Sequence, residues 1–306
     1  QSIPGLSEME EEAQAFVDHG RAAMEEMPWP EGHTVTKGIT SIHNADTHEM
    51  QLERIQHQDS STDEGPVPTG KTILQFSNES NAWSYSRAIQ NAMVAIAERY
   101  GSSTVFMGED MEVAGAFGMN IPLKNAGHAD LLLDMPLSEA VIIHSATGAA
   151  LGGMRPIAEI QFGGFSALAM NPLINNAAQL RWRWGAEVPL VVRIPLGSKT
   201  RSGPFHANMI ESWFLNDPGL VILFPSNPQD AYDLLVEGAA LPDPVVYLEH
   251  IGMYGLRGGK TGWGDRIHMQ VDTKTVSQHI ESGETYKIGK ANVVRGGTDA
   301  TIVTWG

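Results

Sequence analysis

From Leu6 to Met27 apolar residues stand at Met9, Ala13, Phe16, Val17 and Met24, the spacing of one helix face, among many acids. Pro28-Trp29-Pro30 stops this amphipathic helix. Residues 31 to 70 lose the periodicity and close in Ser60-Ser-Thr-Asp-Glu-Gly-Pro-Val-Pro-Thr-Gly70, the texture of a linker or surface-laid arm. Beyond residue 78 helical patterns alternate with short β-branched runs. The expected helices cover 84–100, 139–152, 169–184, 210–215 and 228–240, and the strands 104–108, 156–162, 189–194, 220–224 and 244–248. Strands apolar throughout, with helices between them, call for an α/β fold: a parallel sheet covered by helices on both faces. Ligands of such sheets sit beyond the carboxyl ends of the strands, so chemistry is sought in the loops there.

Composition narrows the classes. The 306 residues suffice for roughly two domains of about 150, and 42% are hydrophobic, enough for a sizeable core. Lys and Arg number 20 against 36 Asp and Glu, a net charge of −16 without a basic cluster. That sign repels phosphate backbones and anionic membranes, so no nucleic-acid partner and no membrane partner are expected. The absence of Cys excludes disulfides, thiolate metal sites and a cysteine nucleophile, and suits a reducing, cytoplasmic compartment. No apolar run approaches the roughly 18 residues of a spanning helix. The chain begins at Gln1 without a signal core and stops at Gly306 after the strand-like run from Ala300, and so reads as an excerpt of a longer polypeptide.

Several apparent motifs do not hold. Gly65-Pro-Val-Pro-Thr-Gly70-Lys71-Thr72 spells a phosphate loop. Its upstream residues are polar, its two prolines delete N–H donors, and Ile73 to Phe76 looks extended, so nucleotide binding is not expected. His33, His43, His48 and His57 lie in the polar arm, but no two stand four apart and no Cys assists, so no metal site is expected. The glycines at 115–118 and 255–264 lack a strand-to-helix setting and read as turns. Asn78-Glu-Ser80 is a glycosylation sequon without a compartment to use it.

One string holds together: Asp134-Met-Pro136-Leu137-Ser138-Glu139, then Gly153-Met-Arg155-Pro156, then Glu159-Ile-Gln161-Phe162. It resembles the β subunit of thiamine diphosphate-dependent 2-oxo acid dehydrogenases, the decarboxylating first component, and specifically its pyrimidine-binding domain. The resemblance continues through Asn176-x-Ala-x-x-Arg181, Pro189-Leu-Val-Val-Arg193, the loop with His206, Pro225-Ser-x-Pro-x-Asp230 and Asp243-Pro-Val-Val-x-Leu-Glu-His250, covering about residues 80 to 306. It implies a thiamine diphosphate-binding, transketolase-like fold for 78–286. By the same resemblance 1–30 is similar to the end of an α subunit, 31–77 is the linker, and 287–306 opens a truncated carboxyl-terminal domain. The α-like tail suggests a fused α–β chain.

Thiamine chemistry needs an acid against the pyrimidine ring. Glu139 follows Ser138, a good N-cap, among apolar Met135, Leu137, Val141 and Ile142, so an apolar site would keep its carboxyl partly protonated. Alone, a Glu in the first turn is only a helix start; the resemblance makes it the family's activating glutamate. Phe165, after Gly163-Gly164, matches the aromatic that stacks on the pyrimidine, although the Gly pair replaces bulkier family residues. Leu137 and Gln161 match further pyrimidine contacts. His206 matches the loop histidine that assists decarboxylation or acyl transfer, with Phe205 and Ala207 replacing its usual neighbours. His144 and His250 read as structural. No Gly-Asp-Gly is present, so the diphosphate and Mg²⁺ are expected on an α-type domain or subunit, in an α2β2-type oligomer or fused-chain dimer served by a lipoyl acyltransferase core. The expected reaction is decarboxylation of a branched-chain 2-oxo acid or pyruvate with acyl transfer to a lipoyl domain. A transketolase-like or deoxyxylulose-phosphate-synthase-like transferase and a catalytically silent assembly subunit are the alternatives. By resemblance a monovalent cation belongs near 189–194 and 238–243, where Leu241-Pro242 departs from the usual acidic loop.

Overall fold

The structure, a computed structural model, describes residues 6–28, 81–197, 203–254, 268–293 and 296–306. The polar arm with its histidines, the phosphate-loop look-alike, the sequon and the glycines at 255–264 lie outside the described residues. The chain divides into two units, 1–37 and 38–306. In the first, α1 (Leu6–Glu26) forms as its spacing predicts, with residues 8–28 exposed.

In the second unit the helices are α2 (Tyr85–Tyr100), α3 (Ile121–Asn125), α4 (Glu139–Leu151), α5 (Leu180–Trp184), α6 (Pro228–Ala240) and α7 (Lys274–Ser282). The strands β1 (Thr104–Gly108), β2 (Leu132–Asp134), β3 (Arg155–Glu159), β4 (Val191–Leu196), β5 (Val221–Leu223) and β6 (Val245–His250) form one sheet in the order β2-β1-β3-β4-β6-β5, parallel at every pairing. Trp83–Ser84 and His268–Met269 add a two-residue antiparallel pair.

Alternation along the strands feeds two cores. Phe106, Ile157, Val191 and Val245 pack with α2 and α6 on one face, while Met107, Ala158, Val192 and Val246 pack with α4 and the 163–180 segment on the other. With both faces covered, apolar residues at every position are what burial requires. Helix ends follow local chemistry. The Ser84 hydroxyl accepts from Arg87 N at 3.2 Å, and Asn227 Oδ1 accepts from Asp230 N at 2.9 Å beside Pro228 in the first turn.

The expected helix 169–184 is broken. A 3₁₀ run (Gly163–Ala169), a π turn (Asn171–Asn176) and a further 3₁₀ turn (Ala177–Gln179) precede α5. Pro172 has no N–H for a regular ladder, and Asn175 Nδ2 bonds Asn171 Oδ1 at 3.0 Å. The 210–215 helix shortens to a 3₁₀ turn at Glu211–Trp213. Residues 300–306 form no strand with any described residue, and Ile302 and Val303 stand exposed. Three elements had escaped the pattern, α3, β2 and α7, because β2 is three residues without β-branching and α3 is a little over one turn. No described helix is long and apolar enough to cross a membrane.

Candidate active site

The topology selects one crevice. From β1 the chain crosses to β2 through α3, which packs with the α2 core, whereas from β3 it crosses to β4 through the 163–184 segment on the opposite face. Adjacent strands whose connections leave to opposite faces open a crevice at their carboxyl ends, here between β1 and β3. Glu109 and Asp110 follow β1 there, and Gln161 and Phe162 follow β3.

Glu139 begins α4 and is 6% exposed. Ser138 occupies the N-cap, but its hydroxyl makes no capping bond; only its carbonyl enters the helix, accepting from Ile142 N at 3.0 Å. No described residue hydrogen-bonds the Glu139 carboxyl. Beside it lies an acid that the motif string does not contain. Glu109 is also 6% exposed, and its Oε1 is shut from solvent without a partner. Burial pushes the Glu109 carboxyl up from the usual range, and the charges of Glu139, Asp110 and Glu159 push it further.

Gln161 Nε2 donates to Asp110 Oδ2 at 3.3 Å and Glu109 O at 3.4 Å, tying the two loops together. Asp110 and Ala114 hold φ of 58° and 132°, unusual for residues with a Cβ, and mark this loop as strained. Leu137 is 86% exposed on the approach to α4.

On the far side, three aromatic rings meet. His206 packs edge-to-face on Phe162 with centroids 4.6 Å apart and on Phe165 at 5.5 Å, and Phe162 meets Phe165 at 5.7 Å. Phe117, from the strained loop, meets Phe162 at 5.5 Å. His206 Nδ1 is buried without a hydrogen-bond partner among the described residues. The structure brings the expected His206 and Phe165 together, joined by Phe162 and Phe117, and neither these two rings nor Glu109 was among the expected residues. The position of Glu109 just past a buried strand was the available signal. His144 Nδ1 lies 3.0 Å from Ala140 O and His250 Nδ1 accepts from Gly252 N at 3.1 Å, as structural residues do.

Beneath the crevice Arg193 is fully buried between two carboxylates. Its Nη1 donates to Glu159 Oε2 at 2.7 Å, and Nε and Nη2 donate to Glu249 at 2.6 and 2.9 Å; Tyr254 OH also donates to Glu249. Burial opposes the charge of Arg193, but Glu249 and Glu159 more than offset it and raise its pKa. No group of three His, Cys, Asp or Glu among the described residues could hold a metal ion.

Residues 81–255 match the family described as transketolase, pyrimidine binding domain. The chain belongs to that family. Among curated relatives of this pyrimidine-binding domain, the β subunit of acetoin:2,6-dichlorophenolindophenol oxidoreductase of Cupriavidus necator is 36% identical over 201 residues, 65% of this chain and 54% of that one. The β subunit of 2-oxoisovalerate dehydrogenase of Bacillus subtilis is 37% identical over 229 residues, covering 73% and 63%. The β subunit of the pyruvate dehydrogenase E1 component of Acholeplasma laidlawii is 37% identical over 224 residues, covering 72% and 62%. The chain therefore spans between about half and two thirds of the length of these relatives.

Proposed function

We infer that this chain supplies the pyrimidine-binding half of a thiamine diphosphate site in the first component of a 2-oxo acid dehydrogenase. The observation that carries the reading is Glu139: a buried carboxyl at the start of α4, at the crevice of the sheet, with no donor among the described residues. Names of the relatives, which are β subunits of 2-oxo acid and acetoin enzymes, support it.

The residues fit the cofactor's pyrimidine. Glu139 would hold a proton against the far ring nitrogen, and Phe165 would stack on the ring, its place set by Phe162. Leu137 and Gln161 would border the ring. His206, whose Nδ1 has no hydrogen-bond partner among the described residues, would bind the substrate carboxylate or move a proton there. When bound, thiamine diphosphate supplies a nucleophilic carbon and an electron sink for decarboxylation. Mg²⁺ and the diphosphate go to an α-type domain or subunit, since Gly-Asp-Gly is absent here.

A branched-chain 2-oxo acid or pyruvate is the substrate, the acyl group passes to a lipoyl domain on an acyltransferase core, and the assembly is an α2β2-type oligomer or fused-chain dimer in the cytoplasm. Residues 1–30, 31–77, 78–286 and 287–306 are then α-like tail, linker, pyrimidine-binding domain and start of the carboxyl-terminal domain. A monovalent cation is not part of the proposal: Ala239 O and Leu241 O already accept from Arg155 Nη1 at 2.8 and 3.1 Å, so a guanidinium takes those donors.

The test is Glu139→Ala in the complete protein with its α-type partner. Thiamine-dependent carbon dioxide release from 2-oxo acids should fall about a hundredfold or more. Unchanged turnover would remove Glu139 from the chemistry and favour a silent assembly role. If the chain and an α-type protein together give no calorimetric signal with thiamine diphosphate, the shared-site reading fails.

A further inference from the structure

The absence of a side chain at Gly163, two residues before Phe165, has a physical reason in the packing of the His206 loop. A Cβ on Gly163 would lie 3.0 Å from Leu196 Cβ, 3.0 Å from Ile210 Cγ1 and 3.2 Å from Asn208 O. None of these is the free end of a flexible side chain. Leu196 ends β4, Ile210 is buried, and Asn208 O accepts from Gly197 N at 3.2 Å. Two residues before Asn208 stands His206. On its other side Gly163 opens the 3₁₀ turn that delivers Phe165: Phe165 N donates to Phe162 O at 3.0 Å and Ser166 Oγ to Gly163 O at 2.6 Å. The missing side chain at 163 is therefore the space in which the loop carrying His206 lies against the turn carrying Phe165.

We propose that Gly163 is a positioning residue that sets His206 against Phe162 and Phe165. Gly164 is its built-in comparison. A Cβ there would meet Asn208 Oδ1 at 2.8 Å, but that side chain is exposed and rotates away, so the backbone need not move. Neither glycine has φ in the left-handed region, so Ala at either tests volume rather than backbone strain.

The inference rests on the reading of His206 as an active-site residue, and its test has a readout that needs neither cofactor nor partner. In carbon-resolved proton spectra of the full chain, the His206 imidazole resonance, identified by its loss in His206→Asn, carries the ring-current shift of Phe162 and Phe165. Gly163→Ala should move it toward the position of an unstacked histidine, while His279, stacked on Tyr286 at 4.8 Å, stays put and reports an intact fold. Gly164→Ala should move it far less. In the assembled enzyme Gly163→Ala should lower kcat about tenfold with little change in KM, as misplacement of a catalytic group does. An unmoved His206 in Gly163→Ala, or an equal shift in Gly164→Ala, overturns the proposal. Should Gly163→Ala displace His279 as well, Ile210→Ala decides, because it opens the seat instead of wedging it: a His206 that moves supports the seat and one that does not overturns it. A displaced His206 with unchanged kcat supports the seat and counts against the role of His206 in the chemistry.

Discussion

Two carboxyls, Glu139 and Glu109, are buried at the crevice, near enough that the charge of Glu139 bears on Glu109. Glu109 Oε1 has no partner, and its carboxyl is pushed up by burial and then by the charge of Glu139. A raised pKa means that the folded chain holds this proton more tightly than the unfolded chain. The associated stability is present below the ordinary carboxylate range and is lost as pH rises through the raised value. Glu109→Gln should therefore raise Tm at pH 8, with the gain shrinking toward zero near about pH 4. Calorimetry at the two pH values checks it; a pH-independent difference would show that charge is not the cause. Glu139 stands out as a candidate in the sequence because it sits in a motif string with Pro136, Ser138 and Arg155. Glu109 does not, since Gly108-Glu109-Asp110 reads as a strand running into a turn, and burial of the acid there leaves no pattern along the chain.

At the scale of elements, β3, β4 and β6 are joined through Arg193 as well as through their ladders. Glu159 lies directly across from Arg193 in register, and Glu249 reaches it from β6. Replacing Arg193 by Met would leave two buried carboxylates unpaired, which costs about 3–5 kcal/mol. Urea unfolding of Arg193→Met should show that loss, and an unchanged midpoint would mean that the two acids protonate without penalty. Strands β1 and β4 and helices α2, α4 and α6 were readable because burial on both sheet faces demands apolar runs, and helix caps such as Ser84 and Asn227 are local. The 169–184 segment misled because apolar spacing alone reads as one helix, whereas the π turn that holds Pro172 and the 3₁₀ turn after it interrupt the regular ladder.

For the whole molecule, the open side of the site is the telling feature. Leu137, Val141, Phe205 and Met209 are exposed on the segments that carry Glu139 and His206, which suits a site completed by another domain. Leu137→Asp should weaken association with an α-type partner in sedimentation while leaving the Tm of the chain alone unchanged, because its side chain packs on little within the fold. Unaltered association would place the partner elsewhere. By itself the sequence determined the fold class and the strands buried on both faces, since these rest on local periodicity, and it singled out Glu139, Phe165 and His206 as candidates through the motifs they sit in. Tertiary structure alone decided that β1 and β3 frame the crevice, that the charge of Glu139 bears on the buried Glu109, and that Gly163 leaves the space in which the His206 loop lies. Those facts depend on strand order and close packing, which join residues far apart in the chain and leave no pattern along it.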